Sequence, residues 1–325
     1  MKKLVFIVFL AVFFTVISCD DTDVIVNNNV SKEQTEMVWI KAGSFMMGSP
    51  SDEFGRKNEW YFVNNTSIQN VELQHKVTLT NGFFIGKYPV TQEQFEMVMG
   101  YNPTFLPHVG TKHPVDRVNW YETLVYCNKL SLLEGFNPAY EIQEIDGNDS
   151  SWTTDTVKWG DVPISVGSRK KWDNVRIVPN SNGYRLPTEA QWEYACRAGT
   201  TTAFYNGNNY NDVGNIAWYE NNSNTPQEVG KKQPNSWGLY DMLGNIQEMC
   251  WDFADEYTAD DKINPSGPIK EGVDYEGVND KYPGSYRVMR GGCYGSNAEG
   301  IRSAFRDVME HFMRFRWVGF RIVRP

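Results

Sequence analysis

NSWGLYDMLGNIQEMCWD, residues 235–252, is the stretch whose reading decides the rest of the chain. It sets Trp237, Tyr240, Met242, Leu243, Met249 and Trp251 around a polar centre, Asp241-x-x-Gly244-Asn245-Ile246-x-Glu248. Two carboxylates, a carboxamide and several backbone carbonyls fall within eight residues there. Gly244 permits a sharp turn that aims carbonyls at one point. Hard oxygen donors on a tight loop suit Ca2+, which takes six to eight oxygens at about 2.3–2.6 Å. A plain Gly-Asn turn between aromatic strands, with Glu248 capping it, accounts for the same residues. The spacing is not that of an EF-hand loop.

Further motifs flank this centre in a fixed order. Upstream lie Trp39-Ile-x-x-Gly43-x-Phe45-x-Met47-Gly48, then Tyr88-Pro-Val-Thr91, then GYRLPTEAQWEYACRAG at residues 183–199. Downstream come Arg290-Gly-Gly292, Arg302-Ser-Ala-Phe-Arg306 and Val318-Gly-Phe-Arg321. Together they make the chain, from about residue 37 to residue 324, resemble the formylglycine-generating enzyme (sulfatase-modifying factor) family. The resemblance implies a loop-rich, C-type-lectin-like α+β fold with structural Ca2+.

Composition agrees with that class. Hydrophobic residues make up 41% and aromatic residues 14% of 325 positions, enough for one large core or two small ones. The net charge of −9 argues against a nucleic-acid partner, because that binding rests on neutralising phosphates with Lys and Arg. Four histidines, at 75, 108, 113 and 311, form no helical His-x3-His pair, so a zinc or iron site of that type has no support.

The N-terminus gives an address. Lys2 and Lys3 precede an apolar run over residues 4–17, too short for a spanning helix, and then Ser18-Cys19. Val16-Ile-Ser-Cys19 resembles a bacterial lipobox, so residues 1–18 read as a lipoprotein signal peptide and Cys19 as the lipidated residue. Asp20, Asp21 and Asp23 follow, as in surface-exported lipoproteins, and residues 19–36 read as a flexible tether. The expectation is a protein anchored by lipid at the outer membrane or cell surface. Cys127, Cys196, Cys250 and Cys293 remain, an even count that permits disulfides without requiring them.

One domain, 37–325, is expected after the tether. Residues 37–47 alternate apolar and polar groups and predict a single strand ending at Gly48. Residues 71–79 and 82–88 predict two strands joined by a turn at Asn81-Gly82. Thr91 with Gln94, and Thr188 with Gln191, are capping boxes that open helices stopped by Gly100 and Gly199. A further helix covers 119–133. Short strands are expected at 140–145, 157–159 and 172–178, and closing core strands at 287–289 and 319–323.

The resemblance also assigns candidate sites. The Ca2+ ligands it implies are Asp241, the carbonyls of Gly244 and Ile246, and Glu248, with Asn215 and the Ile216 carbonyl at a second ion. Active members of the family oxidise a substrate cysteine to formylglycine using a copper(I) ion on two thiolates, donors that suit a soft metal. In this chain Ser296 occupies the first thiolate position, the second has no counterpart, and Cys293 falls on the family's active-site serine. Copper is therefore not expected. On an extended strand, Cys293 and Ser296 would point to opposite faces. Arg302, Arg306, Arg314, Arg316 and Arg321 read as loop anchors making bidentate bonds, or as holders of an anionic ligand. Two functions follow: a surface lipoprotein that binds a protein or glycan ligand or acts as a scaffold, or a divergent formylglycine-generating-type oxidase acting on a cysteine of a sulfatase or another protein.

Overall fold

Why the helices form where they do is a matter of their ends. Thr91 Oγ1 accepts the Gln94 N–H and the Gln94 side chain returns to the Thr91 N–H, opening α1 (Gln92–Met99). Asn119 and Glu122 do the same for α2 (Trp120–Glu134), and Thr188 and Gln191 for α3 (Glu189–Arg197). Left-handed residues close all three: Gly100, Gly135 and, one residue ahead of the expected Gly199, Ala198. The computed structural model describes residues 35–61, 67–143, 151–165, 172–267 and 286–325. Cys19, the leader, most of the tether and the end of the strand expected at 140–145 fall outside the described residues.

The strands are short and the sheets small. β1 (Met37–Ile40) and β2 (Gly43–Met47) replace the single strand expected there. β3 (Glu59–Tyr61) pairs with β4 (Ser67–Gln69). β5 (His75–Leu79) pairs with β2, whereas β6 (Phe83–Gly86) pairs with β1. The Asn81-Gly82 turn therefore passes the chain between two sheets and makes no hairpin. β7 (Tyr140–Gln143) lies between β8 (Trp152–Thr153) and β9 (Arg176–Ile177). Residues 157–159, expected as a strand, form a turn in which the Val157 N–H donates to Asp155 Oδ1. A short 3-10 turn, Trp172–Asn174, replaces the start of the strand expected at 172–178.

The central sheet carries the functional loops. β10 (Gln247–Phe253) pairs antiparallel with β12 (Tyr286–Arg290), which pairs with β13 (Arg306–Glu310), and β14 (Val318–Phe320) runs parallel to β10. β11 (Lys262–Ile263) adds to β5, and β15 (Val323–Arg324) adds to β6. Alternation along β10 divides the interior. Met249 joins the core built on Trp120, Tyr126 and Phe320, while Cys250 joins the core built on Trp192, Leu243 and Val288. Glu36–Pro325 form one compact unit around these two cores, an α+β architecture with few helices and many loops.

Buried ion pairs tie the loops to this frame. Arg302 donates to both oxygens of Glu72 at 2.9 Å and to Glu53 at 2.6 Å. Arg306 grips Glu189, and Arg290 grips Glu193, both carboxylates on α3. Arg314, at the surface, holds the buried Glu122 at 2.8 Å. These arginines anchor structure, as does Arg321; Arg316 stands apart from them and makes no such bond among the described residues.

Candidate functional site

Gly244 holds the opening motif together. Its φ is +72°, and an added Cβ would meet the Trp218 carbonyl at 2.2 Å, so only glycine fits the approach. Its N–H donates to the Gly291 carbonyl at 2.8 Å, and the Asn245 N–H donates to Trp218 at 2.8 Å. The Asn245 carboxamide pairs with both backbone groups of Gln227, and its carbonyl accepts the Tyr294 N–H at 3.0 Å. The loop thus fixes the segment at 290–296.

The carboxylates of this motif have separate partners. Glu248 accepts from Trp192 Nε1 at 2.7 Å and from Arg321 Nε and Nη2 at 2.9 and 2.8 Å, all in the interior. Arg321 already neutralises it. Asp241 accepts the Gly230 N–H at 2.7 Å and Asn245 Nδ2 at 3.3 Å, and makes no salt bridge among the described residues. Burial pushes its pKa up to about 6. A buried carboxylate without a salt-bridge partner, next to turning carbonyls, fits a hard cation; Glu248 fits one less well because a guanidinium holds both its oxygens. Asn215 and Ile216 end a 3-10 turn, where the Asn215 carbonyl accepts the Gln233 N–H and the Ile216 carbonyl accepts Tyr205 Oη at 3.2 Å.

The Cys293–Ser296 geometry corrects the sequence expectation. Gly291 and Gly292, with φ of +90° and +64°, bend the chain out of β12 into a turn, and the Ser296 N–H closes it on the Cys293 carbonyl. The two side chains consequently face each other, Sγ to Oγ 3.6 Å, and Ser296 Oγ accepts the Cys293 N–H at 3.0 Å. Burial raises the Cys293 thiol above its ordinary range. The thiolate, the form that binds metal or attacks, is thereby disfavoured. Cys127, Cys196, Cys250 and Cys293 are all free, and Cys293 has no second thiol at bonding distance among the described residues. A linear two-thiolate copper site does not fit this donor set.

Sequence reasoning missed the wall beside this turn. Gln92, the first residue of α1, donates to the His108 carbonyl at 2.8 Å and accepts the Gly110 N–H, stapling the loop that follows the helix. His108 Nδ1 then lies 2.8 Å from Asp116 Oδ2, and its ring meets Tyr294 edge-on with centroids 5.8 Å apart. Burial raises the Asp116 carboxyl despite the His108 bond, and Asp116 Oδ1 has no partner. Nothing in the spacing of His108 and Asp116 marks them as a pair; the Gln92 staple and the Asp116 N–H bond to Thr104 Oγ1 bring them together.

Fold and loop geometry define a sulfatase-modifying-factor scaffold. The chain belongs to the sulfatase-modifying factor enzyme 1-like domain family, which matches residues 23–325. It is 37% identical over 196 residues to the chaperone protein LppX of Paenibacillus barcinonensis, covering 54% of this chain and 64% of that one. It is 34% identical over 284 residues to the formylglycine-generating enzyme of Mus musculus, covering 80% and 66%. The chain therefore spans less than two thirds of either relative's length. Among solved structures, Treponema denticola variable protein 1 matches with a TM-score of 0.72 and 32% identity, over 89% of this chain and 95% of that one.

Proposed function

We propose that this chain is a lipid-anchored extracytoplasmic protein that uses the family scaffold to bind a protein partner and does not generate formylglycine. The observation that carries the reading is the Cys293–Ser296 pair, which offers one protonated thiol where copper(I) oxidation needs two thiolates. The similarity to a protein named as a chaperone favours a polypeptide partner over a small molecule. Incubation with copper(I), reductant, O2 and a Cys-x-Pro-x-Arg peptide should leave the peptide unchanged. Aldehyde formation abolished by Cys293→Ser would overturn the reading and restore the oxidase.

Anchoring rests on the lipobox ending at Cys19. Among the described residues no helix is long and apolar enough to cross a membrane. Attachment at the outer membrane or cell surface then depends on the lipid. Cys19→Ala should move the protein from the membrane to the soluble fraction and abolish labelling by a fatty-acid analogue; unchanged membrane partition would refute the anchor. Ca2+ is proposed as a structural ion, on Asp241 and the carbonyls of Gly244 and Ile246. Glu248 could join only by sharing its oxygens with Arg321, and a second ion would use Asn215 and Ile216.

A further inference from the structure

Two arginines break the pattern set by the others. Arg302, Arg306, Arg314 and Arg321 hold carboxylates. The guanidiniums of Arg117 and Arg316 make no hydrogen bond or salt bridge among the described residues, and Arg117 Nε is buried without a partner. They are neighbours, because the Arg117 N–H donates to the Phe315 carbonyl at 3.0 Å. Both charges act on the Tyr294 phenol, beside Cys293. Arg117 is also held in a costly backbone conformation, φ +58°, which an L-residue keeps only where its surroundings impose it.

An apolar rim adjoins this pair. Arg117 lies over the Phe105 ring at 5.1 Å, a contact that pre-orients the cation. Phe105 is 64%, Leu106 84% and Val109 49% exposed, on the loop that Gln92 staples. Three large apolar groups are left in water beside Arg117, a cation without a salt bridge among the described residues, on a chain of net charge −9.

We propose that Arg117, Arg316, Tyr294 and the Phe105–Leu106–Val109 rim form a docking site for an extended polypeptide segment bearing an acidic residue beside an apolar one. This deepens the protein-binding reading above and rests on it. The arginines supply bidentate donors for a carboxylate, and their charge complements an acidic partner that the rest of this acidic surface repels. Leu106 and Val109 are aliphatic and suit an apolar side chain, and Arg117 covers one face of Phe105, which leaves less ring for a sugar to stack on. The peptide is therefore favoured over an acidic glycan. Because Arg117 is half-buried and lies against Phe105, the site also suits a chain better than a lipid surface.

The test uses the full chain in detergent and two labelled hexapeptides, Gly-Asp-Phe-Asp-Leu-Gly and its Asn counterpart, with fluorescence anisotropy as the readout. The acidic peptide should bind at least about tenfold tighter than the Asn form, as charge-assisted bonds imply. Raising salt from about 50 mM to about 500 mM should weaken it. The double variant R117Q/R316Q should lose about tenfold for the acidic peptide only, and Leu106→Ser should weaken both peptides. All three side chains reach the surface, and thermal melting checks that the variants remain folded. Equal binding of the two peptides, no binding, indifference to R117Q/R316Q, or preference for polygalacturonate or for phosphatidylglycerol vesicles would each overturn the site. A chain that oxidised the Cys-x-Pro-x-Arg peptide yet bound the acidic hexapeptide through both arginines would overturn the functional reading and uphold this one.

Discussion

Asp241 is the residue on which the metal question turns. Its carboxylate is buried, its pKa is pushed up to about 6 by burial, and its bonds come from a backbone N–H and a carboxamide. A cation bound only by the native state stabilises it by about 2.7 kcal/mol at a hundredfold excess over Kd. Chelator should accordingly lower the Tm of the parent chain, and Asp241→Ala should abolish the difference. A parent Tm indifferent to chelator would reject the ion. Glu248 is a poorer probe, since losing it also orphans Arg321. The identities of Cys293 and Ser296 were readable from their place in the motif. Their orientation was not, because it depends on two successive positive-φ glycines, and a three-residue spacing is silent about a turn.

At the scale of elements, the helices were legible because capping is local. Thr91–Gln94 and Thr188–Gln191 declare their helices in the sequence, and the structure closes the same bonds. Strand partners were not legible. Asn81-Gly82 is a sound turn signal, yet whether β5 pairs β6 is decided by β1 and β2, far upstream. Position 157 failed for a related reason: Asp155 satisfies the backbone of a turn that apolar alternation alone cannot exclude. The first turn of α3 carries a prediction of its own. Asp252 Oδ2 accepts the Glu189 N–H at 2.8 Å there. A helix N-terminus favours a negative group, but burial, then the neighbouring Glu189 charge, outweigh that terminus and the Arg306 and Arg287 charges, and raise Asp252 to about 7. A carboxyl raised on folding stabilises fully below its unfolded value and loses that contribution as pH rises through the folded one. Asp252→Asn keeps the acceptor and removes the proton. Between about pH 4 and about pH 7 the parent should therefore lose stability relative to the variant, measured by denaturant melts. Parallel profiles would reject the shift.

Across the whole molecule, buried ion pairs bridge segments far apart in sequence. Arg302 with Glu72 and Glu53 clamps two loops to the 3-10 turn before β13, and neither Arg302 nor Glu72 has any exposed side-chain surface. Removing one partner leaves a buried charge unpaired, at a cost of about 3–5 kcal/mol. Arg302→Met, which leaves the buried Glu72 carboxylate without its counter-charge, should lower unfolding stability by that order, and an unaltered denaturant midpoint would contradict it. The family and its loop-rich α+β class were legible at this scale, because ordered motifs report the scaffold even where local propensity is weak. The sheet of β1, β6 and β15 has a consequence in time. Ile85 pairs with Val38 on one side and Val323 on the other, so the second edge of β6 stays bare until β15 has been made. Closing so wide a loop carries an entropic cost that only the finished contacts repay. Completion of the sheet is thus a terminal event, timed by the arrival of β15. Until then the nascent chain presents an open strand to any holdase, or to a second nascent copy, that reaches it first.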